Sequence, residues 1–492
     1  MLRNRFVGIA GTLASVVCVT GCSFAPRPVQ PALPVQAHYP DMAAGTASGS
    51  AADIGWEHFF TDSELKALIA EALASNRDLR AAATRIEQAH ALVRIRGADL
   101  APQLAASAGM TRIGLPDNLA ALLQDDKLTG YDGLLQASWE IDLFGKLRNL
   151  RAAALQQYLA SEEARRGLAT SLVAQVAAAY LADRDYAERL ALARETLANR
   201  EAYLHLLQRR YDLGSGSKIE VTQGETLRTQ AAAQIQTLEL ARAQNLNALT
   251  LLVGSPVDNT RFTHDLAAVG LDQPIPAGLP SDLLVNRPDV AAAEHQLREA
   301  EANIGAARAA FLPSIKLTAL GGSASGDLDN LFAKGTGAWL FRPSISLPIF
   351  TAGKLHANLR GSEARRDEML ANYEKTIQSA FRDVADALAQ RQWLAAQIDT
   401  TQQAIAALTE RARLSRIRYE AGRVAHLEVL DAERDRFSAE QTLIQLRRAW
   451  LASGVKLYAA LGGAFPEAHA QAQQSRQQGP QQTGLQKQGP TP

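Results

Sequence analysis

A chain of 492 residues is long enough for a large core or for more than one domain. Its 51 basic and 51 acidic residues cancel to a formal net charge of zero, which excludes the broad basic field of a nucleic-acid binder. With two cysteines, Cys18 and Cys22, neither a disulfide framework nor a cysteine-rich metal site is available.

In chain order, the first segment reads as an export signal rather than as part of the fold. Arg3 and Arg5 form a positive start, and Phe6 to Val19 is an apolar stretch too short to span a bilayer. It ends in Val19-Thr20-Gly21-Cys22, which resembles a bacterial lipobox. That resemblance implies lipid transfer to the Cys22 sulfur, cleavage before Cys22 and loss of Cys18. Cys22 is therefore the candidate lipidation site, and its acyl chains are the covalent group expected on the chain. Several chains are needed for firm anchoring, since one gives only marginal binding. Ser23 stands where an aspartate would suggest retention at the inner membrane, so outer-membrane sorting is expected. The domain reading is a signal peptide over 1–21, an extended lipid-anchored linker over 22–55 rich in Pro, Ala, Gly and Ser, and a disordered Gln/Gly/Pro-rich tail over 467–492. No later stretch is long and apolar enough for a spanning helix.

Between linker and tail lies an internal repeat with an offset of roughly 210 residues. Asn76-Arg77-Asp78 returns as Asn286-Arg287-Pro288-Asp289, and Phe144-Gly145-Lys146-Leu147 as Phe350-Thr351-Ala352-Gly353-Lys354-Leu355. Arg210-Tyr211-Asp212-Leu213-Gly214 returns as Arg418-Tyr419-Glu420-Ala421-Gly422. The repeats occupy 56–254 and 281–466, joined by an equatorial segment over 255–280. Each half reads helix, strand, loop, strand, long helix, tight turn, helix.

Helices are expected over 63–97 and 281–310, long helices over 146–213 and 356–421, and return helices over 218–253 and 427–461. The long ones would each measure about 100 Å and the return helices about half that. Leu190, Leu197, Leu204 and Tyr211 recur every seventh residue, as do Ile398, Ile405, Ala412 and Tyr419. Sustained heptads predict seams packed in a coiled coil.

Strands are expected at about 103–112, 134–143, 314–320 and 339–349, each alternating with period two. Leu104, Ala106, Ala108 and Met110 share a face in the first; Leu135, Ala137, Trp139 and Ile141 in the second; Ile315, Leu317 and Ala319 in the third; Trp339, Phe341, Ile345, Leu347 and Ile349 in the fourth. Alternation of this kind fits a transmembrane barrel strand, and it also fits a soluble sheet with one wet face. Four strands cannot close a useful barrel, so a barrel would pool strands across subunits. Segments 112–133 and 320–338 would then be extracellular loops, with Trp139 and Trp339 in an aromatic girdle.

The lipobox, the twofold repeat, the strand ends Ile-Asp-Leu-Phe-Gly-Lys and Leu-Pro-Ile-Phe-Thr-Ala-Gly-Lys, and the Arg-Tyr-x-x-Gly turns together resemble the outer-membrane factor (TolC-like) family, in its lipoprotein NodT/OprM-like branch. The resemblance runs from Cys22 to Pro466. It implies a mainly α fold with membrane β: a long helical coiled-coil tunnel, and four strands per chain entering a trimeric twelve-stranded barrel. It further implies a homotrimer, a periplasmic adaptor, an inner-membrane pump of the resistance-nodulation-division (RND) class, and passive conduction of drugs or toxic small molecules. The alternative within the same fold is a duct for type I protein or peptide secretion. A poreless periplasmic coiled-coil lipoprotein is a third reading.

Two turns carry the site expectations. Gly214, Ser215, Gly216 and Ser217 in one, and Gly422 and Arg423 in the other, would meet the adaptor. Glu428, Asp431 and Arg434 match the family segment that carries the aperture acids, and would form the gate. Arg434 is expected to pair with an acid on a neighbouring helix. The first repeat has Gln223 where the second has Asp431, so the gate would be asymmetric. Chemistry of other kinds finds no support. Gly145-Lys146 and Gly353-Lys354 lack the remaining glycine and hydroxyl of a phosphate loop. The nine histidines show no metal-ligand spacing, and no nucleophile elbow appears. No enzyme activity, no metal and no non-covalent cofactor are expected.

Overall fold

A computed structural model describes residues 24–26, 34–36, 39, 54–116, 127–271 and 283–463. Cys22, the signal peptide and the tail lie outside them. The chain divides into two compact units. One comprises residues 1–32, 84–162 and 292–374; the other 33–83, 163–291 and 375–492.

The first unit holds the sheet: β1 (Gln103–Gly114), β2 (Lys127–Ile141), β3 (Ser314–Ser325) and β4 (Gly337–Ser346), antiparallel in that order. Register brings the alternating apolar sets into common rows. Leu104 faces Ala137, which faces Ala319, which faces Phe341. Ala106, Leu135, Gly321 and Trp339 form the next row. A slip of one residue would send any strand's apolar set to the opposite face, so this alignment across four strands is selected by a single apolar surface. That surface is bare: Leu104 is 73%, Ile345 70% and Trp339 82% exposed. Bare apolar rows are what the membrane-facing reading of the alternation expects. On the other face, Glu140 pairs with Lys146 at 2.7 Å and with Lys316 at 3.9 Å. Among the described residues β1 and β4 each have one unpaired edge.

The strands differ in extent from the sequence expectation. β2 begins at Lys127, so residues 127–133 belong to the ladder and not to a loop. Their Gly and Asp are poor strand formers, yet pairing with β1 and β3 carries them. β3 likewise runs on to Ser325, and β4 ends at Ser346, short of 349. The Trp139 Nε1 donates to the Leu100 carbonyl at 2.9 Å.

The helices are α1 (Trp56–Phe59), α2 (Ser63–Ser75), α3 (Arg77–Ala98), α4 (Lys146–Asp212), α5 (Lys218–Val253), α6 (Leu283–Asn286), α7 (Pro288–Ala309), α8 (Lys354–Glu420) and α9 (His426–Ala460). The expected helix over 63–97 is two helices, because Asn76 leaves helical geometry (ψ 131°) and caps the second by accepting from the Leu79 N–H at 3.0 Å. The expected helix over 281–310 breaks at the same place in the repeat. There Pro288, which has no N–H to contribute, takes the first position of α7. No described helix is long and apolar enough to cross a membrane.

The second unit shows the repeat as packing. Gly254, which ends α5, lies so near the α2–α3 break that a Cβ would sit 2.5 Å from the Ser75 carbonyl oxygen. Gly462, past α9, would meet the Asn286 carbonyl oxygen at the same 2.5 Å. Both adopt positive φ, and only glycine combines that φ with this approach. The main core of this unit gathers Phe60, Leu65, Ile69, Val176, Leu181, Leu249 and Val269. The heptad positions Leu190 and Leu204 of α4 are buried against Leu238 and Val221 of α5. In the first repeat the seam therefore packs the long helix on its return helix, while Tyr211 at its end is 45% exposed.

Residues 22–55 are described at a few points only, and at those points the chain is held. The Phe24 carbonyl accepts from Arg308 at 3.2 Å, within the first unit. Tyr39 is buried against Phe381, within the second.

The Gly-Lys pairs sit at strand-to-helix junctions. Asp142 accepts from the N–H groups of Leu147 (3.1 Å) and Arg148 (2.9 Å). A carboxylate of the chain itself thus occupies the α4 N-terminus, where a phosphate would otherwise bind.

Candidate functional site: the two hairpin tips

Both tips lie in the second unit and are built by the same local chemistry. At the end of α4 the Gly214 N–H donates to the Tyr211 carbonyl (2.9 Å), and the Ser215 N–H to that of Arg210 (2.9 Å). At the end of α8 the Gly422 N–H donates to Tyr419 (2.8 Å), and the Arg423 N–H to Arg418 (2.9 Å). This paired pattern closes a helix through one left-handed residue. Gly214 (φ 74°) and Gly422 (φ 69°) supply it. Gly216 is constrained differently: a Cβ there would lie 2.9 Å from the Tyr211 nitrogen.

The return helices start unequally. Ser217 caps α5 by accepting from the Ile219 N–H (3.2 Å), and Glu220 reaches back to accept from the Ser217 N–H (3.0 Å). The α9 start has Ala425 and no side-chain cap. Its first-turn acid, Glu428, turns toward α8 instead, accepting from Arg418 at 2.9 Å and Ser415 at 3.2 Å. Glu428 therefore ties its own hairpin together. Asp431 and Arg434 pair on α9 at 3.3 Å. Arg434 also meets Asp435 of the same helix at 3.4 Å, and Asp435 is held by Arg411 of α8 at 2.9 Å. Within the chain Arg434 thus pairs with acids three residues before and one residue after it. Glu433 pairs with Arg416. The acids Glu428, Asp431, Glu433 and Asp435 each face an arginine, so the segment is a charge-paired surface.

Sequence reading passed over the residue that joins the two hairpins. His426, the first residue of α9, is buried. Its ring stacks on Tyr203 of α4 (3.8 Å between centroids, 13°) and meets the Tyr419 ring edge-on at 4.7 Å. Arg210 donates to the Tyr419 hydroxyl at 2.6 Å, adding a second link between the hairpins. Burial pushes the His426 imidazole down to about 4, against the opposing pull of Glu220, with Arg210 and Arg416 helping to keep it neutral. The available signal was a histidine four residues after a turn glycine, beside a heptad tyrosine. Its partner Tyr203 was beyond reach.

Below this contact the hairpins enclose a cleft of about 750 Å³, lined among others by Arg200, Tyr203, His426, Glu433, Phe437 and Glu440. Arg200 lies over the Phe437 ring at 5.9 Å and donates to the Leu227 carbonyl at 2.7 Å. Burial lowers its guanidinium below the ordinary arginine value.

Comparison with known proteins adds a family to this geometry. Residues 68–255 and 279–463 each match the model of the outer membrane efflux protein family, one match per repeat. The toluene efflux pump outer membrane protein TtgF of Pseudomonas putida is 42% identical over 473 residues, covering 94% of this chain and 98% of that protein. The cation efflux system protein CusC of Escherichia coli is 40% identical over 457 residues, covering 92% of this chain and 97% of that protein. The crystal structure of the open state of the MtrE outer membrane channel of Neisseria gonorrhoeae superposes with a TM-score of 0.81 at 37% identity, covering 90% of this chain and 98% of that one.

Proposed function

Because the chain belongs to the outer membrane efflux protein family, we propose that it forms the exit duct of a tripartite pump, passing drugs or other toxic small molecules received from an RND-type inner-membrane partner. Its place is the outer membrane, and it serves efflux. The observation that carries the conducting role is the sheet: one row-aligned apolar face left bare, an opposite face that carries Gln103, Ser138, Glu140, Lys316 and Arg342 among its residues, and two unpaired edges. Lipid cannot satisfy an open edge, so the four strands must continue into other copies. A homotrimer closes twelve strands, enough to enclose a polar lumen. The duct is passive: its role is conduction, with no catalytic step, and selection of cargo falls to the pump.

The two tips, with Gly214, Ser215, Ser217, Gly422 and Arg423 exposed at helix ends and Gly216 partly buried between them, are the docking points for the periplasmic adaptor. Glu428, Asp431 and Arg434 belong to the aperture, where three copies of this acidic segment around a narrow pore repel one another and favour cations. Cys22 carries the lipid anchor, on the strength of its lipobox.

The test is drug susceptibility of a strain lacking this gene, complemented with wild type or with Cys22→Ser. Sensitisation to several unrelated drugs, reversed by the wild-type copy, supports the reading. Unchanged susceptibility together with loss of a secreted protein moves the function to secretion.

A further inference from the structure

The second unit contains a cluster far from the hairpin tips in sequence. Asp62 precedes α2, Glu64 lies in its first turn, Tyr180 is in α4, and His264 lies between the short helical turns Asn259–Arg261 and Leu266–Val269. The oxygen and nitrogen atoms of Asp62, Glu64 and His264 lie within 4.8 Å of one another. His264 Nδ1 is 2.9 Å from Asp62 Oδ2 and 3.8 Å from Glu64 Oε2.

Each carboxylate is aimed by a donor outside this set. Asp62 Oδ1 accepts from the Leu65 N–H at 2.9 Å. Glu64 Oε1 accepts from the Thr263 hydroxyl at 2.7 Å and its N–H at 3.0 Å. The other oxygen of each turns to the shared space, where the Tyr180 hydroxyl touches both, at 3.1 Å from Asp62 Oδ2 and 2.8 Å from Glu64 Oε2. Asp62 and Tyr180 are buried, whereas the His264 side chain is 39% exposed, leaving one side open to entry and to water.

We propose that Asp62, Glu64 and His264 form a binding site for a divalent cation of the zinc type, which staples the segment between the repeats to the start of α2. Two carboxylate oxygens and one imidazole nitrogen suit a borderline cation. Bonds of about 2.0–2.1 Å in tetrahedral geometry place ligand atoms roughly 3.3–3.4 Å apart. The two histidine–carboxylate separations, 2.9 and 3.8 Å, straddle that value. Water on the open side supplies the fourth ligand. Tyr180 stays as the donor that orients both carboxylates, the arrangement that fixes ligands in metal sites generally. The absence of metal spacing in the sequence has a plain cause: Asp62 and His264 are 202 residues apart. The same contacts without metal amount to a hydrogen-bonded histidine–carboxylate latch, and the experiment separates the two.

The experiment uses the untagged full chain in detergent, stripped with EDTA and desalted. Zinc chloride is titrated against a competing indicator, and thermal unfolding is followed with and without one equivalent of zinc. The wild type should take up one zinc per chain at this site, with a raised unfolding midpoint that EDTA reverses. His264→Gln and Glu64→Gln should each weaken uptake at least tenfold and abolish the rise, whereas His205→Gln, at an exposed position of α4, should change neither. The proposal is overturned if the wild type shows no saturable uptake, or if His264→Gln binds as the wild type does. If either site variant fails to fold, X-ray absorption of the zinc-loaded wild type decides: a nitrogen/oxygen shell with a single imidazole supports the site, and more than one imidazole refutes it.

Discussion

The joint between the hairpins should weaken in acid, and His426 sets how much. The imidazole has an ordinary value of 6.5 and is pushed by burial to about 4 in the fold. Between those values the unfolded or opened chain binds a proton that the closed form refuses. Stability is therefore fully present above about pH 6.5 and is lost as pH falls toward 4. The full difference amounts to about 3 kcal/mol at 1.36 kcal/mol per pH unit, and about 2 kcal/mol of it is already gone at pH 5. Because His426 joins α9 to Tyr203 of α4, the loss registers first as local opening of the tip. Hydrogen exchange of peptides covering 420–430, corrected for the intrinsic rate at each pH, should show protection about thirtyfold lower at pH 5 than at pH 7.5. His426→Phe keeps an aromatic ring against Tyr203 and cannot titrate, so its protection should be flat across that range. The same pH profile in wild type and His426→Phe would refute the reasoning.

Other predictions concern the sheet, the turn and the charged segment. At Gly322 a Cβ would lie 2.1 Å from the Gly133 carbonyl oxygen, whereas at Gly321 it would meet nothing within 4 Å. Gly322→Ala should therefore destabilise the detergent-solubilised channel by about 1–3 kcal/mol, and Gly321→Ala by less than about 0.5 kcal/mol; equal melting temperatures would discount the close β2–β3 approach. Gly422→Ala adds no clash but forces an L-residue to a φ of 69°, so a loss of about 1–2 kcal/mol, confined to the tip in hydrogen exchange, is expected. Asp431→Asn removes one partner of an exposed pair, so the melting temperature should move by less than about 1 kcal/mol would imply. Single-channel conductance and antibiotic leakage should nevertheless rise, and their constancy would remove Asp431 from the gate.

Much of this protein was readable in one dimension because its signals are local. Alternation over about ten residues marked the four strands, and the face each strand turns to the membrane follows from residue parity alone. Turn glycines and the heptad of Leu190 and Leu204 placed the hairpins, since both depend on neighbours within a turn or two of helix. The twofold repeat needed only self-comparison. Where prediction failed, a distant partner had decided. Residues 127–133 read as loop by composition and become strand because β1 and β3 lie on either side of them. Asn76 reads as mid-helix until its carboxamide is seen donating to the Leu252 carbonyl at 2.7 Å while capping α3. The burial of His426 requires Tyr203 on another hairpin, and the Asp62, Glu64 and His264 cluster requires elements about two hundred residues apart. Periodicity reports which face a residue occupies, whereas the identity of what packs against that face, and hence its charge state and ligands, is fixed only when the chain closes on itself.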